Sequence, residues 1–485
     1  MWRWVKNVDH QYSLPLETYF AGRQKMIYSP LLVLTLFVLS LLPFSQTLSQ
    51  PARNPSRLLG QTPGEFALRR ERVRRAAKGA FVFLVTPLHD EEGEHVRPRG
   101  DNSLAYLTGL VEPGVCLALM PSNDLSSVQE ILFVEERPAY KLRYVGAKPG
   151  LEELALQTGI RRIEPLKNLW TVLAPSLQNA QKVEIFGSAS LTPLFSENAG
   201  LIAKLKTIAP QLEIIGGAES LLAPLRRIKS PGEIANIRTA IKATLNAEKS
   251  AARRIRPSIT ELTIEGVILA AFRANGCTGE AFPSIVGAGS NSTVLHHYSD
   301  PRPMRSGETV VVDIGAEFNQ YAADVTRTFP VNGKFTPRQR AIYELVRETQ
   351  RLCERAFVLG ESTINQLDRL ARTYLRGSPL RWKDESGNSQ TMDKAFWHGL
   401  GHLVGLDVHD VGDSGREPLL PGMVFTIEPG LYLPNENFGI RIEDDYLVTE
   451  KGLEKMSRAL SSDLKEIEAM MRPGRVSHRT RKRKM

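Results

Sequence analysis

Cysteine is scarce in this sequence: only Cys116, Cys277 and Cys353 occur in 485 residues. These residues are widely separated and odd in number, which argues against a disulfide framework and against a thiolate metal cluster. We therefore expect each cysteine to be a small buried apolar residue.

The sequence also has little that could span a membrane. The apolar run from Leu31 to Leu42, LLVLTLFVLSLL, is shorter than the about 20 residues that a membrane helix needs. Basic residues precede it, a proline closes it and small and polar residues follow, which is typical of a secretory signal peptide. We predict that residues 1–50 are a leader and signal peptide and that the mature protein is exported, periplasmic or secreted. A start at Met26 would shorten the unusually long leader, and an uncleaved membrane anchor is the alternative to cleavage.

Acidic residues are absent from the segment 472–485, which holds seven lysines and arginines. Since the net charge is +9, the rest of the chain is close to neutral (9 − 7 = +2). We interpret 472–485 as a basic, disordered tail that attracts anions non-specifically. We expect no specific nucleic-acid partner; salt-dependent retention on DNA by the full-length but not the tail-deleted protein would support that alternative.

Apolar segments of strand length alternate with helical ones in the first half of the chain. The strand-like runs are FVFLV, VCLALM, EILFVEE, KVEIFG and LEIIGG, and their alternation predicts an α/β domain over residues 51–225. Ser230 and Pro231 then begin a helix with Glu233 in its first turn. Residues 226–471 combine long helices with antiparallel strand signals, which predicts an α+β domain.

A glycine-rich stretch from Trp397 to Asp413, WHGLGHLVGLDVHDVGD, carries three of the nine histidines, His398, His402 and His409. Histidine is the commonest side-chain metal ligand and the usual proton carrier near neutral pH. A glycine-softened turn with surface imidazoles is the alternative for this stretch taken alone.

Four acids lie on strand-like segments of the same half. Asp313 ends the strand TVVVDI, Asp324 lies near the start of AADVTRTF, and the intervening GAEFNQY suits a hairpin that pairs the two strands. Glu428 follows a strand-like run in FTIEPGLY, and Glu443 lies in the apolar alternation GIRIEDDYLV. A carboxylate on a strand of valines is costly to bury unless it is paired or bound to metal. Each acid alone is an ordinary structural residue, but the four together with His402 predict a metal site.

Four carboxylates and one imidazole form a hard, oxygen-rich ligand set. Such a set favours manganese, cobalt, iron or zinc over copper. Because four acids carry more charge than one divalent ion needs, we predict two ions about 3.5 to 4 Å apart, bridged by carboxylates and hydroxide. We prefer Mn²⁺, with Co²⁺, Zn²⁺ or Fe²⁺ as alternatives. The chemistry available is hydrolysis, since metals lower the pKa of bound water and polarise a scissile carbonyl.

The motifs around these residues resemble those of a known family. The contexts VVDIG, DVTRTFPVNGKF, HGLGHLVGLDVHD, TIEPGLY and GIRIEDD are similar to those of the dinuclear metallopeptidases with the pita-bread fold. The second and third resemble most closely aminopeptidase P, which removes an N-terminal residue that precedes proline. DNSLAYLTGLVEPG resembles that family's N-terminal domain more weakly. The resemblance implies a creatinase-like α/β domain followed by an α+β pita-bread catalytic domain.

The resemblance also implies a role for each site residue. The four acids and His402 would be the metal ligands, with Glu443 bridging the ions and Asp313 binding through both oxygens. Arg441 would bond to the ligands from outside the metal site. His398 and His409 would contact the substrate and carry protons.

One more histidine of the family lies ahead of the first aspartate. His296 has the family's spacing to Asp313, whereas His297 precedes the tyrosine expected at that place. We predict that His296 is the functional residue and keep His297 as the alternative.

The function that the resemblance implies is hydrolysis of the N-terminal Xaa-Pro bond of peptides with proline at the second position. The alternative is a prolidase, which uses the same ligands but cleaves only dipeptides. Modules of this fold that only bind peptides or histones have lost the ligand set, whereas all five ligand positions are filled here. The resemblance further implies a homo-oligomer, a dimer or a tetramer.

Overall fold

The computed structural model describes residues 59–86, 101–121, 129–136, 139–140, 142–145, 147–187, 198–412 and 415–472. The predicted leader 1–50 and the predicted tail beyond Arg472 lie outside these residues. Within them, no helix combines the length and the apolar character that crossing a membrane requires.

The described residues form both helices and strands. The helices are α1 (Pro63–Ala76), α2 (Asn102–Thr108), α3 (Leu142–Val145), α4 (Leu151–Thr158), α5 (Leu169–Gln178), α6 (Ala199–Ile208), α7 (Glu219–Arg227), α8 (Pro231–Arg254), α9 (Glu261–Ala274), α10 (Pro337–Ala356), α11 (Ile364–Gly377) and α12 (Leu464–Met470). The strands of the first half are β1 (Phe81–Val85), β2 (Val115–Leu119), β3 (Glu130–Val134), β4 (Ile163–Pro165), β5 (Lys182–Ile185) and β6 (Glu213–Gly216).

The second half contributes shorter and more numerous strands. They are β7 (Gly279–Glu280), β8 (Ile285–Ala288), β9 (Thr309–Ile314), β10 (Ala316–Phe318), β11 (Tyr321–Ala322), β12 (Val325–Pro330), β13 (Arg381–Lys383), β14 (Ser389–Thr391), β15 (Val424–Ile427), β16 (Gly430–Leu433), β17 (Phe438–Arg441), β18 (Asp444–Thr449) and β19 (Gly452–Lys455). Four short 3-10 helices are also described: Leu166–Asn168, Gly289–Thr293, Met392–Ala395 and Pro434–Glu436.

The first half builds one six-stranded sheet in the order β4-β3-β2-β1-β5-β6. β1, β2 and β3 pair antiparallel, and β1–β5, β5–β6 and β3–β4 pair parallel. Because β1 and β2 are buried along almost their whole length, they are apolar at successive positions instead of alternating. One face packs on α5 and α6, and the other on α1, α2 and α8. All five predicted strands are confirmed, whereas β4 has only three residues and was not predicted.

The three cysteines behave as the sequence predicts. Cys116, Cys277 and Cys353 are buried and unpaired. Cys116 lies in the core between the six-stranded sheet and α5, and the other two lie in the core of the second half.

A helix start marks the passage into the second half. The Ser230 hydroxyl accepts a hydrogen bond from the Glu233 backbone N–H, and the Ser230 backbone N–H donates to the Glu233 carboxylate. Pro231 occupies the first helical position. This reciprocal capping arrangement satisfies two otherwise free N–H groups, so the predicted start of α8 is confirmed. The predicted boundary near Leu225 falls inside α7, and one apolar core contains residues from both halves, including Leu84 and Leu406.

The strands of the second half pair as the sequence suggests, with two corrections. β9 spans the predicted Thr309–Ile314 and pairs antiparallel with β12. GAEFNQY forms the hairpin β10–β11, but β12 begins at Val325, so Asp324 precedes its strand. Glu443 lies in the short connection between β17 and β18 instead of within a strand, because the chain there leaves its pairing with β16 and enters the pairing with β15. Its N–H donates to the carbonyl of Thr326. The architecture is the expected one, an α/β domain followed by an α+β domain.

Candidate active site

A cavity of about 530 Å³ opens beside β9 and is lined by all the side chains that the sequence singles out. They are His296 and its alternative His297, Asp313, Asp324, His398, His402, His409, Glu428, Arg441 and Glu443. An apolar wall of Phe282, Pro283, Ile285, Leu295, Tyr298 and Val408 completes it. A cavity with apolar walls and a few convergent polar groups is the usual form of a small-ligand site.

The pairing of β9 with β12 brings three of the acids together. Asp313 lies opposite Thr326 in the β9–β12 register, and Asp324 immediately precedes β12. Thr326 Oγ1 donates to Glu443 Oε2 at 2.6 Å. The Asp324 backbone N–H donates to Asp445 Oδ2 at 3.0 Å. This bond fixes the backbone of Asp324 just before β12 begins.

The backbone of His402 is tied to β15. Its N–H donates to Thr426 Oγ1 at 3.2 Å, and its carbonyl accepts from the Thr426 N–H at 2.9 Å. A side chain at Gly401 would place a Cβ 2.0 Å from the Thr426 carbonyl oxygen. The glycine is therefore required for the loop to approach the strand closely enough to present His402 to the acids.

The ring of His402 points its free nitrogen at two carboxylates. Nδ1 lies 3.1 Å from the Leu403 carbonyl oxygen, so Nδ1 carries the proton in the neutral ring. Nε2 lies 3.4 Å from both Asp324 Oδ2 and Glu428 Oε1. Three side chains could hold one metal ion together: Asp324, His402 and Glu443 each offer one ligand atom, and these three atoms lie within 4.8 Å of one another.

The electrostatics of the acids call for a cation. Burial raises the pKa of Asp324 and Glu443 well above the usual carboxyl range, and mutual repulsion with the neighbouring acids raises both further. Burial also raises the pKa of Glu428. Arg441 bonds to Asp313, but no lysine or arginine among the described residues pairs with the other three.

Two carboxylate oxygens of the site also lack partners. Asp313 Oδ1 and Asp324 Oδ1 are buried without a hydrogen bond in the described part of the chain. Buried polar atoms are almost always satisfied in folded proteins. Divalent cations fit this donor set, because they would neutralise the acids and occupy both free oxygens, and hard oxygen ligands are those that such ions prefer.

Arg441 joins the acids to an aromatic residue. It donates to Asp313 Oδ2 at 2.6 Å and to the Tyr432 hydroxyl at 2.9 Å, and its Nε lies 3.4 Å from Thr326 Oγ1. Burial raises the pKa of Tyr432 to about 12, so its hydroxyl stays protonated. Sequence reasoning missed Tyr432, although it closes the motif FTIEPGLY that carries Glu428.

His398 ends this chain of hydrogen bonds. Its Nε2 is 2.7 Å from the Tyr432 hydroxyl and its Nδ1 is 2.9 Å from the Gly399 carbonyl oxygen. Burial and the nearby Arg441 charge lower the pKa of His398 to about 3. The imidazole is thus neutral at physiological pH, donating from Nδ1 and accepting the Tyr432 proton at Nε2.

His409 is exposed to the cavity and contacts His402. The two ring centres are 4.0 Å apart. Burial of the ring and the neighbouring His402 lower the pKa of His409 to about 4. His409 is therefore a neutral hydrogen-bonding group beside the ligand cluster.

The two adjacent histidines ahead of Asp313 differ in their partners. His297 Nε2 lies 2.7 Å from Glu261 Oε2, which also accepts the Asp300 N–H. His296 is close enough to lower the pKa of both His398 and His409. Both histidines line the cavity, and His296 stays our prediction for the residue that acts with the other two.

Each half of the chain matches the model of a known family. The family model for metallopeptidase family M24 matches residues 235–450, and that for the aminopeptidase P N-terminal domain matches residues 66–186. The chain is 33% identical to the Xaa-Pro aminopeptidase of Haemophilus influenzae over 77% of this chain and 88% of that protein. It is 31% identical to the Escherichia coli Xaa-Pro aminopeptidase over 84% and 97% of the two chains.

A solved structure agrees with these sequence matches. A glutamate-to-alanine variant of Escherichia coli aminopeptidase P, in complex with substrate, superposes with a TM-score of 0.74 at 30% identity. The match covers 85% of this chain and 98% of that one.

Proposed function

The chain belongs to metallopeptidase family M24 and has the N-terminal domain of aminopeptidase P, and we propose that it removes the first residue from peptides whose second residue is proline. The protein is a metal-dependent aminopeptidase with an α/β N-terminal domain and a pita-bread catalytic domain. We propose further that it accepts peptides longer than dipeptides, which separates it from a prolidase.

The observation that carries this proposal is the convergence of the predicted ligands around unpartnered carboxylate oxygens. Asp313, Asp324, Glu428, Glu443 and His402 come from separate segments and line one cavity. We propose that these residues hold two divalent ions, with Mn²⁺ preferred, because the donors are mainly carboxylates. When bound, divalent ions acidify water and polarise a carbonyl group.

The chain's own groups would orient the substrate and handle protons. His409 faces the cavity as a neutral imidazole, so it can accept a hydrogen bond from the peptide amine or donate one to the carbonyl oxygen of the scissile bond. His398 is held in one orientation by Tyr432 and Gly399, which prepares it for contact with the same substrate. The apolar wall, which includes Phe282 and Tyr298, suits a proline ring and displaces water from it.

Hydrolysis of a small peptide panel tests the proposal. Purified protein should release the first residue from Xaa-Pro-Xaa tripeptides and should be inactive on Xaa-Ala-Xaa controls. Cleavage of Xaa-Pro dipeptides alone would identify a prolidase instead. Elemental analysis of the same preparation should find a metal content near two ions per chain, and full activity in protein shown to be metal-free would overturn the proposed mechanism.

We also propose that the protein acts outside the cytoplasm and as a homo-oligomer. The basic, apolar and polar succession in residues 1–50 supports export. Similarity to aminopeptidase P supports self-association in a dimer or tetramer. Light scattering of the purified protein would measure the oligomeric state.

A further inference from the structure

Two histidines of the active site, His402 and His409, lie on one closed turn. We define the histidine turn as residues 402–410, with His402 and His409 near its ends. The Asp410 N–H donates to the Leu403 carbonyl at 2.8 Å, and the Gly405 N–H donates to the Asp407 carbonyl at 3.0 Å. These bonds bring the two imidazole rings to their separation of 4.0 Å.

The interior of the histidine turn is filled by charged side chains from the junction between the domains. Asp410 Oδ2 lies 2.9 Å from Lys229 Nζ, and Asp410 Oδ1 lies 2.5 Å from an Arg226 guanidinium nitrogen. The side chains of Lys229 and Asp410 are each 1% exposed, and that of Arg226 is 4% exposed. Burial alone would raise the pKa of Asp410, but Lys229 and Arg226 lower it, so the carboxylate is ionised.

The packing of this ion cluster leaves no free space. A Cβ on Gly405 would lie 2.2 Å from Asp410 Oδ2 and 3.0 Å from Lys229 Cε. The turn therefore closes around the Asp410 carboxylate and the Lys229 stem, and its shape depends on where those two side chains lie.

Asp407 connects the turn to both domains. Its Oδ2 accepts from Arg226 at 2.6 Å and its Oδ1 accepts from Asn102 Nδ2 at 2.6 Å. Asn102 also donates to the Leu406 carbonyl at 3.2 Å. Asn102 begins α2 in the N-terminal domain and Arg226 lies in α7, so both hold the turn through one carboxylate.

A buried ion cluster of this kind fixes geometry more than it adds stability. Desolvation of the charges offsets most of their attraction. None of Arg226, Lys229, Asp407 and Asp410 is among the residues that line the cavity, so the cluster does not contact a substrate there, and the turn is the segment that links the two. Small displacements of a group that contacts a substrate reduce turnover strongly, about 10²-fold for a shift of about 1 Å.

We propose that Arg226, Lys229 and Asn102 are positioning residues that set the place of His409 through Asp407 and Asp410, so that docking of the N-terminal domain determines the geometry of the active site. This inference rests on the proposed peptidase function. It assigns the N-terminal domain an effect on turnover that does not require any of its residues to touch the substrate.

Conservative substitutions test the proposal without leaving an uncompensated buried charge. Arg226 reaches both Asp407 and Asp410 with one terminal nitrogen, Nη2. Arg226→Lys keeps the charge, but the shorter lysine side chain cannot place its ammonium at that point. Asn102→Ala removes only the contact from the N-terminal domain and lies at a partly exposed position. Arg238→Lys is the matched control, because Arg238 makes a similar two-bond pair with Glu454 at the surface.

The measurements are kcat and KM on an Xaa-Pro-Xaa tripeptide, bound metal by elemental analysis, and the thermal midpoint. We expect kcat to fall about 10-fold or more in Arg226→Lys and several-fold in Asn102→Ala, with KM, metal content and midpoint close to wild type. The control should match wild type in every measurement. The double variant should lose less than the product of the single losses, because both act on Asp407.

Three outcomes would overturn the inference. Unchanged kcat in both folded variants would show that the cluster does not position His409. Loss of metal in proportion to the loss of activity would mean that the cluster acts by retaining the ions. A large fall in the thermal midpoint would mean that the cluster contributes only to stability. Failure of wild-type protein to cleave any Xaa-Pro peptide would instead refute the proposed function, so the two failures are distinguishable.

Discussion

Arg441 donates to Asp313 Oδ2 at 2.6 Å and thereby fixes one oxygen of a carboxylate whose other oxygen, Oδ1, is free. The same guanidinium reaches Tyr432, which contacts His398. One buried arginine thus orients a predicted metal ligand and a predicted substrate-contacting imidazole. We therefore expect Arg441 to influence metal affinity and turnover without being a metal ligand itself.

The first prediction concerns Arg441→Lys. A lysine ammonium cannot reach Asp313 and Tyr432 together in the planar geometry of arginine, so we expect metal affinity or kcat to fall by about 10- to 100-fold. Metal titration followed by kcat measurement at saturating metal separates the two effects. Arg338→Lys is the control, since Arg338 makes an equivalent two-bond pair with Glu436 away from the cavity. Wild-type affinity and kcat in Arg441→Lys would contradict the assignment.

The second prediction concerns pH and metal-free protein. The pKa values of Asp324 and Glu443 are raised in the folded chain, so the folded state binds more protons than the unfolded state above about pH 4, the unfolded carboxyl pKa. Their stabilising contribution is complete below that pH and is lost as pH rises through the folded pKa values. Bound metal requires ionised carboxylates, so it should prevent this loss of stability at higher pH.

Thermal midpoints measured from about pH 4 to about pH 8, with chelator and with Mn²⁺, check that sign. The difference between the metal-loaded and metal-free midpoints should widen as pH rises. Other acids with lowered pKa values, such as Asp410, contribute equally to both curves and cancel in the difference. A difference that stays constant over the range would show that these acids do not bind the metal.

The third prediction is that Glu443→Gln costs more activity than stability. The amide keeps the size of the side chain and can still accept the Thr326 hydroxyl. It also removes one of the repelling charges, so the metal-free variant should unfold at or above the wild-type temperature. Metal content and turnover should both fall, because an amide is a poor bridging ligand. A variant with full activity would exclude Glu443 from the metal site.

Much of this site follows from local sequence patterns. TVVVDI is a run of β-branched residues, and it forms β9 at the predicted bounds, with Asp313 facing the cavity. The positions of Asp324 and Glu443 outside their strands could not be predicted, because they depend on long-range bonds to Asp445 and Thr326. The spacing of apolar residues indicates which face of a strand a residue occupies. It does not indicate where a backbone N–H forms a hydrogen bond with a residue distant in sequence.

The buried partners of the site were the least accessible to sequence reasoning. Arg226 and Asp407 are separated by 181 positions, and an arginine in a helix is usually a surface residue. Tyr432 closes the motif FTIEPGLY, but an aromatic residue at the end of an apolar strand is as readily a core residue. Three-dimensional contact with Arg441 and His398 distinguishes it.

The fourth prediction concerns residues 1–50. If the apolar run is a cleaved signal, the mature protein should begin near Gln50 and should be found outside the cytoplasm. N-terminal sequencing of protein recovered from the cell exterior or periplasm checks this directly. An intact N-terminus in the membrane fraction would identify an anchor, and full-length soluble protein in the cytoplasm would refute export.

The fifth prediction separates metal binding from substrate contact among the histidines. His402 is the only imidazole in the predicted ligand set, and its Nε2 faces Asp324 and Glu428 at 3.4 Å. His402→Ala should therefore lower metal occupancy. His398 bonds to Tyr432 and Gly399, and His409 faces the cavity, so neither needs an ion to hold its place.

His398→Ala and His409→Ala should thus keep their metal while losing turnover by about 10² to 10⁴, the range for a lost proton-transfer group. Elemental analysis beside kcat on an Xaa-Pro-Xaa tripeptide measures both properties in each variant. Because the His409 ring packs on His402, His409→Phe is a useful companion that preserves the ring contact and removes the nitrogen atoms. Metal loss in His409→Ala but not in His409→Phe would mean that His409 supports His402 by packing. Normal metal occupancy in His402→Ala would contradict the assignment of His402 as a metal ligand.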